Sequence, residues 1–268
     1  MQPFPAFNQL KQCRHGLMLY NMNDSYIGRS LDLYGEYSEG EVELFQQAVK
    51  PGNIVIEVGA NIGAHTVALA QLAGQDGMVL AFEPQRIVYQ TLCANIALNS
   101  VPNVMCLQHA VGAEPGELRV PILDYSRECN FGGLSLGEFE IGERVPIVTL
   151  DSYNLGNCHF IKCDVEGMEE QALRGAANLI SRCRPVLYVE NDKPEKSDSL
   201  IRYIDSIGYR MYWHRPFYFS PNNFLNNPHD VFPSVASHNM LCIHKDFRQH
   251  LQGFEDVVVP PPAAQIAT

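Results

Sequence analysis

Ile54-Val-Ile-Glu-Val-Gly-Ala-Asn-Ile-Gly-Ala-His-Thr-Val-Ala-Leu-Ala70 runs from an apolar strand, through a turn holding Gly59 and Gly63, into an apolar helix. A short, almost wholly apolar strand such as Ile54 to Val58 belongs in a parallel sheet covered on both faces. The alternation then repeats. Thr66 to Ala73 reads as helix, Met78 to Phe82 as strand, Gln85 to Asn99 as helix and Val104 to His109 as strand. This βαβαβ order predicts a doubly wound α/β sheet with right-handed crossovers. Further strands are expected at Cys158–Cys163, Pro185–Glu190, Tyr209–Trp213 and Met240–Ile243. Helices are expected at Glu169–Ile180 and Ser197–Ile207, and upstream from Glu36 to Val49, where Pro51-Gly52 stops the chain. Leu17 to Tyr20 reads as a short strand.

Two stretches break the rhythm. Residues 112–150 hold turns and two short β-like pieces, Leu118–Ile122 and Val145–Leu150, and read as a hairpin insertion over the sheet's edge. Residues 214–237 form an aromatic, Asn/Pro-rich loop whose length points to a binding role. Its aromatic residues Phe217, Tyr218, Phe219 and Phe224, with Trp213 before it, either stack on a ring or sugar or simply pack beneath the loop. The expected organisation is an extension over 1–33, one domain over 34–250 and a frayed tail over 251–268.

The totals narrow the partners. A net charge of −11 with no basic run argues against nucleic acid, whose phosphates need a clustered positive face. No apolar run has the length of a membrane span, and residues 1–16 lack the charged and apolar regions of a signal peptide. The eight cysteines form no C-x-x-C pair, which suggests reduced thiols and a cytoplasmic protein. A small-molecule or glycan acceptor is the expected partner, and a homodimer stays open.

Glu57 ends the first strand, and Glu83, followed by Pro84, ends the second. A carboxylate at that second position can accept both hydroxyls of a ribose. The glycines alone suit a dinucleotide or an adenosyl sulfonium. The spacing Gly-Ala-Asn-Ile-Gly departs from the three-glycine dinucleotide loop. An acid beside the turn disfavours pyrophosphate and suits the ammonium of a methionine moiety.

IEVGANIGAHT, AFEP, IKCDVEGMEEQALRGA and YVEND together resemble the FkbM family of S-adenosylmethionine-dependent methyltransferases, over residues 34 to 245. The pairing of VGANIG with DVEG carries the resemblance. It implies a Rossmann-like class I methyltransferase fold of seven mostly parallel strands with the last antiparallel, and S-adenosyl-L-methionine as donor. Carried over, Glu57, Gly59, Asn61 and Gly63 would cradle the methionine part, and Glu83 would hold the ribose. The segment from Gln108 to Ala110 would approach adenine. Asn130, Gly133 and Ser135, in NFGGLS, would form a lid.

Asp164 and Glu166 follow the fourth strand, and Glu190, Asn191 and Asp192 the fifth, on the same rim as the glycine turn. In one reading Asp164 or Glu166 orients or deprotonates an acceptor hydroxyl. In another Asp164, Glu190 and Asn191 bind Mg²⁺, as in catechol-type metal-dependent enzymes. The sequence departs from that layout with Glu at 190 and Gly167 where those enzymes carry a catalytic lysine. Glu166 alternatively caps the helix that follows. His214 and His238 are candidate bases beside the aromatic loop. The leading expectation is an O-methyltransferase acting on a sugar, glycan or natural-product hydroxyl. The alternatives are an NAD(P)-dependent oxidoreductase and a non-catalytic donor-binding protein.

Overall fold

The computed structural model describes residues 6–134, 139–247 and 251–261. The chain begins with an antiparallel hairpin, β1 (Asn8–Cys13) and β2 (Gly16–Asn21), and two helices, α1 (Ile27–Tyr34) and α2 (Glu39–Ala48). The core alternation follows as β3 (Ile54–Val58), α3 (Ala64–Ala73), β4 (Met78–Phe82), α4 (Arg86–Leu98) and β5 (Val104–Leu107). Next come β6 (Ala110–Val111), β7 (Gly116–Val120) and β8 (Glu143–Val148), which make a separate three-stranded sheet in the order β6-β8-β7. The last part holds β9 (Phe160–Cys163), α5 (Glu169–Arg174), α6 (Ala177–Cys183), β10 (Val186–Glu190), α7 (Pro194–Ser206), β11 (Tyr209–His214), β12 (Asn239–His244) and β13 (Glu255–Asp256).

The central sheet runs β13-β11-β12-β10-β9-β3-β4-β5. Strands β5, β4, β3, β9 and β10 are mutually parallel, and β12 is antiparallel to both β10 and β11. The expected seven strands are all present. The two-residue edge strand β13, paired to β11, makes an eighth that the sequence did not announce.

Period-two alternation distributes the apolar residues to two faces. Ile56, Leu80, Ile161 and Leu187 pack with Leu173, Leu179 and Ile204 from α5, α6 and α7. Val55, Val79 and Phe160 pack with Phe45 of α2 and Leu69 of α3. One row nearer the carboxyl end on that second face, Glu57, Lys162 and Tyr188 stand side by side in register. The alternation that buries Phe160 therefore also buries Lys162, which is 3% exposed.

The helix expected over Glu169–Ile180 is two. A Cβ at Gly175, between α5 and α6, would lie 2.0 Å from the Gly112 carbonyl oxygen, so chain from the small sheet crosses tightly there. The N-terminal hairpin is held by side chains in place of a neighbouring strand. Asn95 Oδ1 accepts from Leu19 N (2.6 Å) while its Nδ2 donates to Leu19 O and Ile62 O. Asn99, one turn on, does the same with Leu17. The first part of the chain thus leans on the helix behind the glycine turn. Within the expected tail over 251–268, Val257 is buried, and 262–268 lie outside the described residues. No helix of the described residues is long and apolar enough to cross a membrane.

Candidate active site

A cleft of ≈ 320 Å³ opens at the carboxyl ends of β3, β4, β9 and β10. One side of it is the glycine turn. Gly59 (φ +84°) and Asn61 (φ +49°) adopt left-handed backbone, which turns the chain sharply out of β3. Gly63 (φ +87°) clears Leu92 of α4, whose Cδ1 would lie 2.8 Å from a Cβ there. The Glu83 carboxylate closes the turn from β4: Oε2 accepts from Asn61 N (3.0 Å) and Oε1 from Gln85 N (2.8 Å). One N–H per oxygen leaves lone pairs on both for further donors. Glu57 Oε2 accepts from Thr66 Oγ1 at 2.6 Å. Burial pushes both carboxyls up, to about 7 for each, although Lys162 and Thr66 pull Glu57 down and the two backbone N–H groups pull Glu83 down.

The loop expected to act as a lid sits over this turn. A Cβ on Gly132 would be 2.6 Å from Asn61 Nδ2, and Gln85 Nε2 donates to Phe131 O (2.7 Å). Asn130 Oδ1 accepts from Gly133 N, and Asn130, Gly132, Gly133 and Leu134 line the cleft. Ser135 lies outside the described residues.

The other side of the cleft is built on β9, β10, α2 and the aromatic loop. Lys162 Nζ donates to Asp164 Oδ2 at 2.9 Å. Burial opposes ionisation of Asp164, but the Lys162 ammonium and hydrogen bonds from Lys162 and Glu190 hold its carboxyl below the usual range. Glu190 moves the opposite way: burial and the neighbouring Asp164 charge push it well up. Two carboxyl groups on one rim thus have opposite tendencies, the pattern of an ionised acceptor beside a proton holder. Glu166 adopts φ +55° and its Oε2 takes an ion pair with Lys193 at 2.5 Å, while Lys193 also reaches Asp192 Oδ2 at 2.7 Å. Glu166 does not cap the helix that follows, whose N-cap position is Met168; Glu169, the first residue of α5, instead ties down the preceding loop, its Oε1 accepting from Val165 N and Gly167 N.

Several expected residues fall elsewhere. Asn191 turns its amide to Met240 Sδ (3.4 Å), on the buried side of β10, and lies outside the cleft lining. The set Asp164–Glu190–Asn191 is therefore not assembled as cation ligands. The acidic atoms that do gather within 4.8 Å of one another belong to Glu166, Glu190 and Asp192. The Lys193 ammonium already sits against two of the three, so this group does not fit a divalent ion as it stands. His214 Nδ1 bonds the Tyr188 hydroxyl at 2.8 Å beneath the cleft, and burial lowers its pKa. His238 is exposed, and its carbonyl receives Asn191 N. Neither lines the cleft: the register puts His214 beside Asn239, on the cleft's face, but its ring is spent on the Tyr188 hydroxyl, and His238 precedes β12. Ala110 is buried in β6 opposite Ile147 and lies outside the cleft lining, whereas Gln85 lines the cleft beside the glycine turn.

Residues not singled out from the sequence complete the site. Tyr37 and Glu41 of the α2 region, His65 and Lys162 all line it. Glu41 is 3% exposed. Its Oε1 accepts from Ser38 Oγ (2.8 Å) and Ser237 Oγ (2.6 Å). Glu41 Oε2, His65 Nε2 and Glu190 Oε2 are buried atoms without a hydrogen-bond partner among the described residues. Burial and Lys162 lower His65 to about 3, so its ring is neutral. A cleft walled by unpartnered buried polar atoms is built to receive polar groups, since such atoms are costly when left unpaired. From the aromatic loop, Tyr218 lines the cleft, its ring 5.2 Å from that of Tyr37, whereas Phe219 packs on Tyr34.

The profile of the methyltransferase FkbM domain matches residues 57–211. Among solved structures the chain is similar to a methyltransferase FkbM from Methylobacillus flagellatus KT, with 20% identity, TM-score 0.48, and coverage of 75% of this chain and 50% of that one. The chain thus spans half the length of that protein. It is also similar to a SAM-dependent methyltransferase from Aquifex aeolicus (16% identity, TM-score 0.42, 83% of this chain and 95% of that one). A third is a SAM-dependent O-methyltransferase from Thermotoga maritima (13% identity, TM-score 0.46, 90% and 79%). No curated protein matches the chain. The profile begins at Glu57, takes in the glycine turn, Glu83 and the Asp164 rim, ends in β11 and covers more than half of the chain, which therefore belongs to the FkbM methyltransferase family.

Proposed function

We propose that the protein transfers the methyl group of S-adenosylmethionine to a hydroxyl of a sugar, glycan or natural product. The observation that carries this reading is the Lys162–Asp164 pair: a carboxylate kept ionised by a buried ammonium, beside the glycine turn on the same rim. A bound donor supplies a methyl on a sulfonium, whose S–CH₃ bond breaks as the O–CH₃ bond forms.

The residues present fit that donor. Glu83 has lone pairs free for two ribose hydroxyls, and Glu57 offers a buried carboxyl that a methionine ammonium beside it would hold ionised. Neutral His65 stands at the start of α3, where the helix N-terminus favours a carboxylate. Asp164 then accepts the hydroxyl proton as the oxygen attacks in line, and the cleft walls fix that alignment, which is the main catalytic demand of a displacement. The donor turn lacks the third glycine of a dinucleotide site. Calorimetry tests the choice: S-adenosylhomocysteine should bind and NAD(H) should not. Binding of NAD(H) alone would overturn methyl transfer. Donor consumption in a glycan extract separates an enzyme from a non-catalytic binder.

A further inference from the structure

The acceptor side of the cleft is strongly acidic. Glu41, Asp164, Glu166, Glu190 and Asp192 line it. Lys162 and Lys193 are the cationic side chains among the described lining residues, so five carboxyl groups face two ammonium groups. The donor does not cancel this excess, because it lies on the side of Glu57 and Glu83, which are two further acids. Both lysines are already engaged, Lys162 with Asp164 and Lys193 with Glu166 and Asp192.

Two buried carboxyl oxygens remain without hydrogen-bond partners among the described residues. Glu41 is 3% exposed and its Oε2 has no partner, and Glu190 Oε2 is likewise buried and unpartnered. A group that brings both a hydrogen-bond donor and a positive charge would satisfy each of them, because a nearby cation favours the ionised form of a buried carboxyl. The wall beside them is aromatic: Tyr37 and Tyr218 rings pack edge to face at 5.2 Å, and Tyr26 packs on Tyr218 at 5.9 Å. Carboxylates beside aromatic faces are the surroundings in which an organic ammonium is favoured and an anion is repelled. Lys193 is an internal example, since its ammonium rests on the same group of acids.

We infer that the acceptor is a polyol bearing a protonated amine, in chemical class an amino sugar or aminocyclitol, whose ammonium is taken on the Glu190 side while Glu41 receives a second donor. This rests on the methyltransferase reading for the identity of the cleft, but its charge preference is measurable in the cleft itself. The probes are methyl β-glucosaminide (cationic), methyl β-glucoside (neutral) and glucose 6-phosphate (anionic). Binding of each to the full chain is measured by saturation-transfer NMR and calorimetry, with and without S-adenosylhomocysteine. The cationic probe should bind at least about tenfold tighter than the neutral one, and the anionic probe should not bind. Glu190→Gln should bring the cationic probe to the level of the neutral one while leaving S-adenosylhomocysteine affinity unchanged. Should Glu190→Gln melt early, Glu166→Gln serves in its place and should cut the cationic preference severalfold. Equal binding of the cationic and neutral probes, tighter binding of the anion, or binding of none of the three overturns the inference. Failure of S-adenosylhomocysteine to bind while the cationic preference holds would instead overturn the donor assignment.

Discussion

Gly59 and the carbonyl oxygen of Asp164 leave no room for a side chain between them: a Cβ at 59 would stand 1.8 Å from that oxygen. The donor turn and the acceptor rim therefore touch through backbone alone, and Asp164 N in turn donates to Val58 O at 3.0 Å. Gly59→Ala should destabilise the fold by at least about 3 kcal/mol, through the clash and the left-handed backbone together. Gly52 has the same φ, +84°, with nothing near its missing Cβ. Gly52→Ala should cost only about 1 kcal/mol. Urea denaturation of the two variants checks the difference, and equal losses would show that strain rather than the Asp164 contact is decisive.

Lys162 balances Asp164, Glu57 and Glu41 from a position with almost no solvent contact. Lys162→Met removes the only buried cation facing those acids among the described residues. It should cost about 3–5 kcal/mol near neutral pH, the usual penalty for orphaning a buried charge. The loss should shrink in acid, where the carboxyls take up protons. A denaturation series from pH 5 to 8 reads this directly.

Glu57 and Glu83 carry pKa values raised to about 7 from ordinary values of 4.5. Between those limits the folded, ligand-free protein holds more protons than the unfolded chain, so stability should fall as pH rises from 4.5 to 7. A ligand whose hydroxyls donate to Glu83 favours its ionised form. S-adenosylhomocysteine should therefore release protons on binding near pH 6, seen as a dependence of calorimetric heat on buffer ionisation enthalpy. Its stabilising effect should be greater at pH 7.5 than at pH 5.5.

Asp164→Asn keeps the size of the side chain and removes the proton acceptor. Turnover should fall by about 10²–10⁴-fold. S-adenosylhomocysteine affinity should fall by no more than about tenfold. Comparable losses in both would move Asp164 from proton transfer to donor binding.

Tyr34, fully buried, donates its hydroxyl to His229 O (2.9 Å) and accepts from Val231 N (2.8 Å). Tyr34→Phe should cost about 1 kcal/mol. Limited proteolysis should show faster cleavage within residues 214–237, with the sheet intact by circular dichroism.

The parallel core and the donor turn were legible because their signals are local: apolar strands, glycines at fixed spacing and acids at strand ends. Lys162 was not, because a lysine in Phe-Ile-Lys-Cys looks like an interruption of an apolar strand until its neighbours Glu57 and Tyr188 are placed in register. Glu41 was hidden for a related reason. Its helix carries several acids, and only the packing of α2 on the sheet shows which of them turns inward. Asn191 and His214 suit the chemistry by residue type, but their side chains are spent on Met240 Sδ and the Tyr188 hydroxyl, and His238 is exposed; these are long-range partners that no local pattern shows. The hairpin β1–β2 gave little signal, since its support comes from Asn95 and Asn99, far along the chain.

The contacts of Tyr34 with residues near 230 also bear on how the protein is made. During synthesis the glycine turn and strands β3 to β5 leave the ribosome long before the loop that binds Tyr34. α1 therefore waits for its partner while strands β3 to β5 are already made. The wall of the cleft that carries Tyr218 and Ser237 closes only when the aromatic loop arrives and β12 slots between β10 and β11, so this wall is completed by the part of the sheet that leaves the ribosome last.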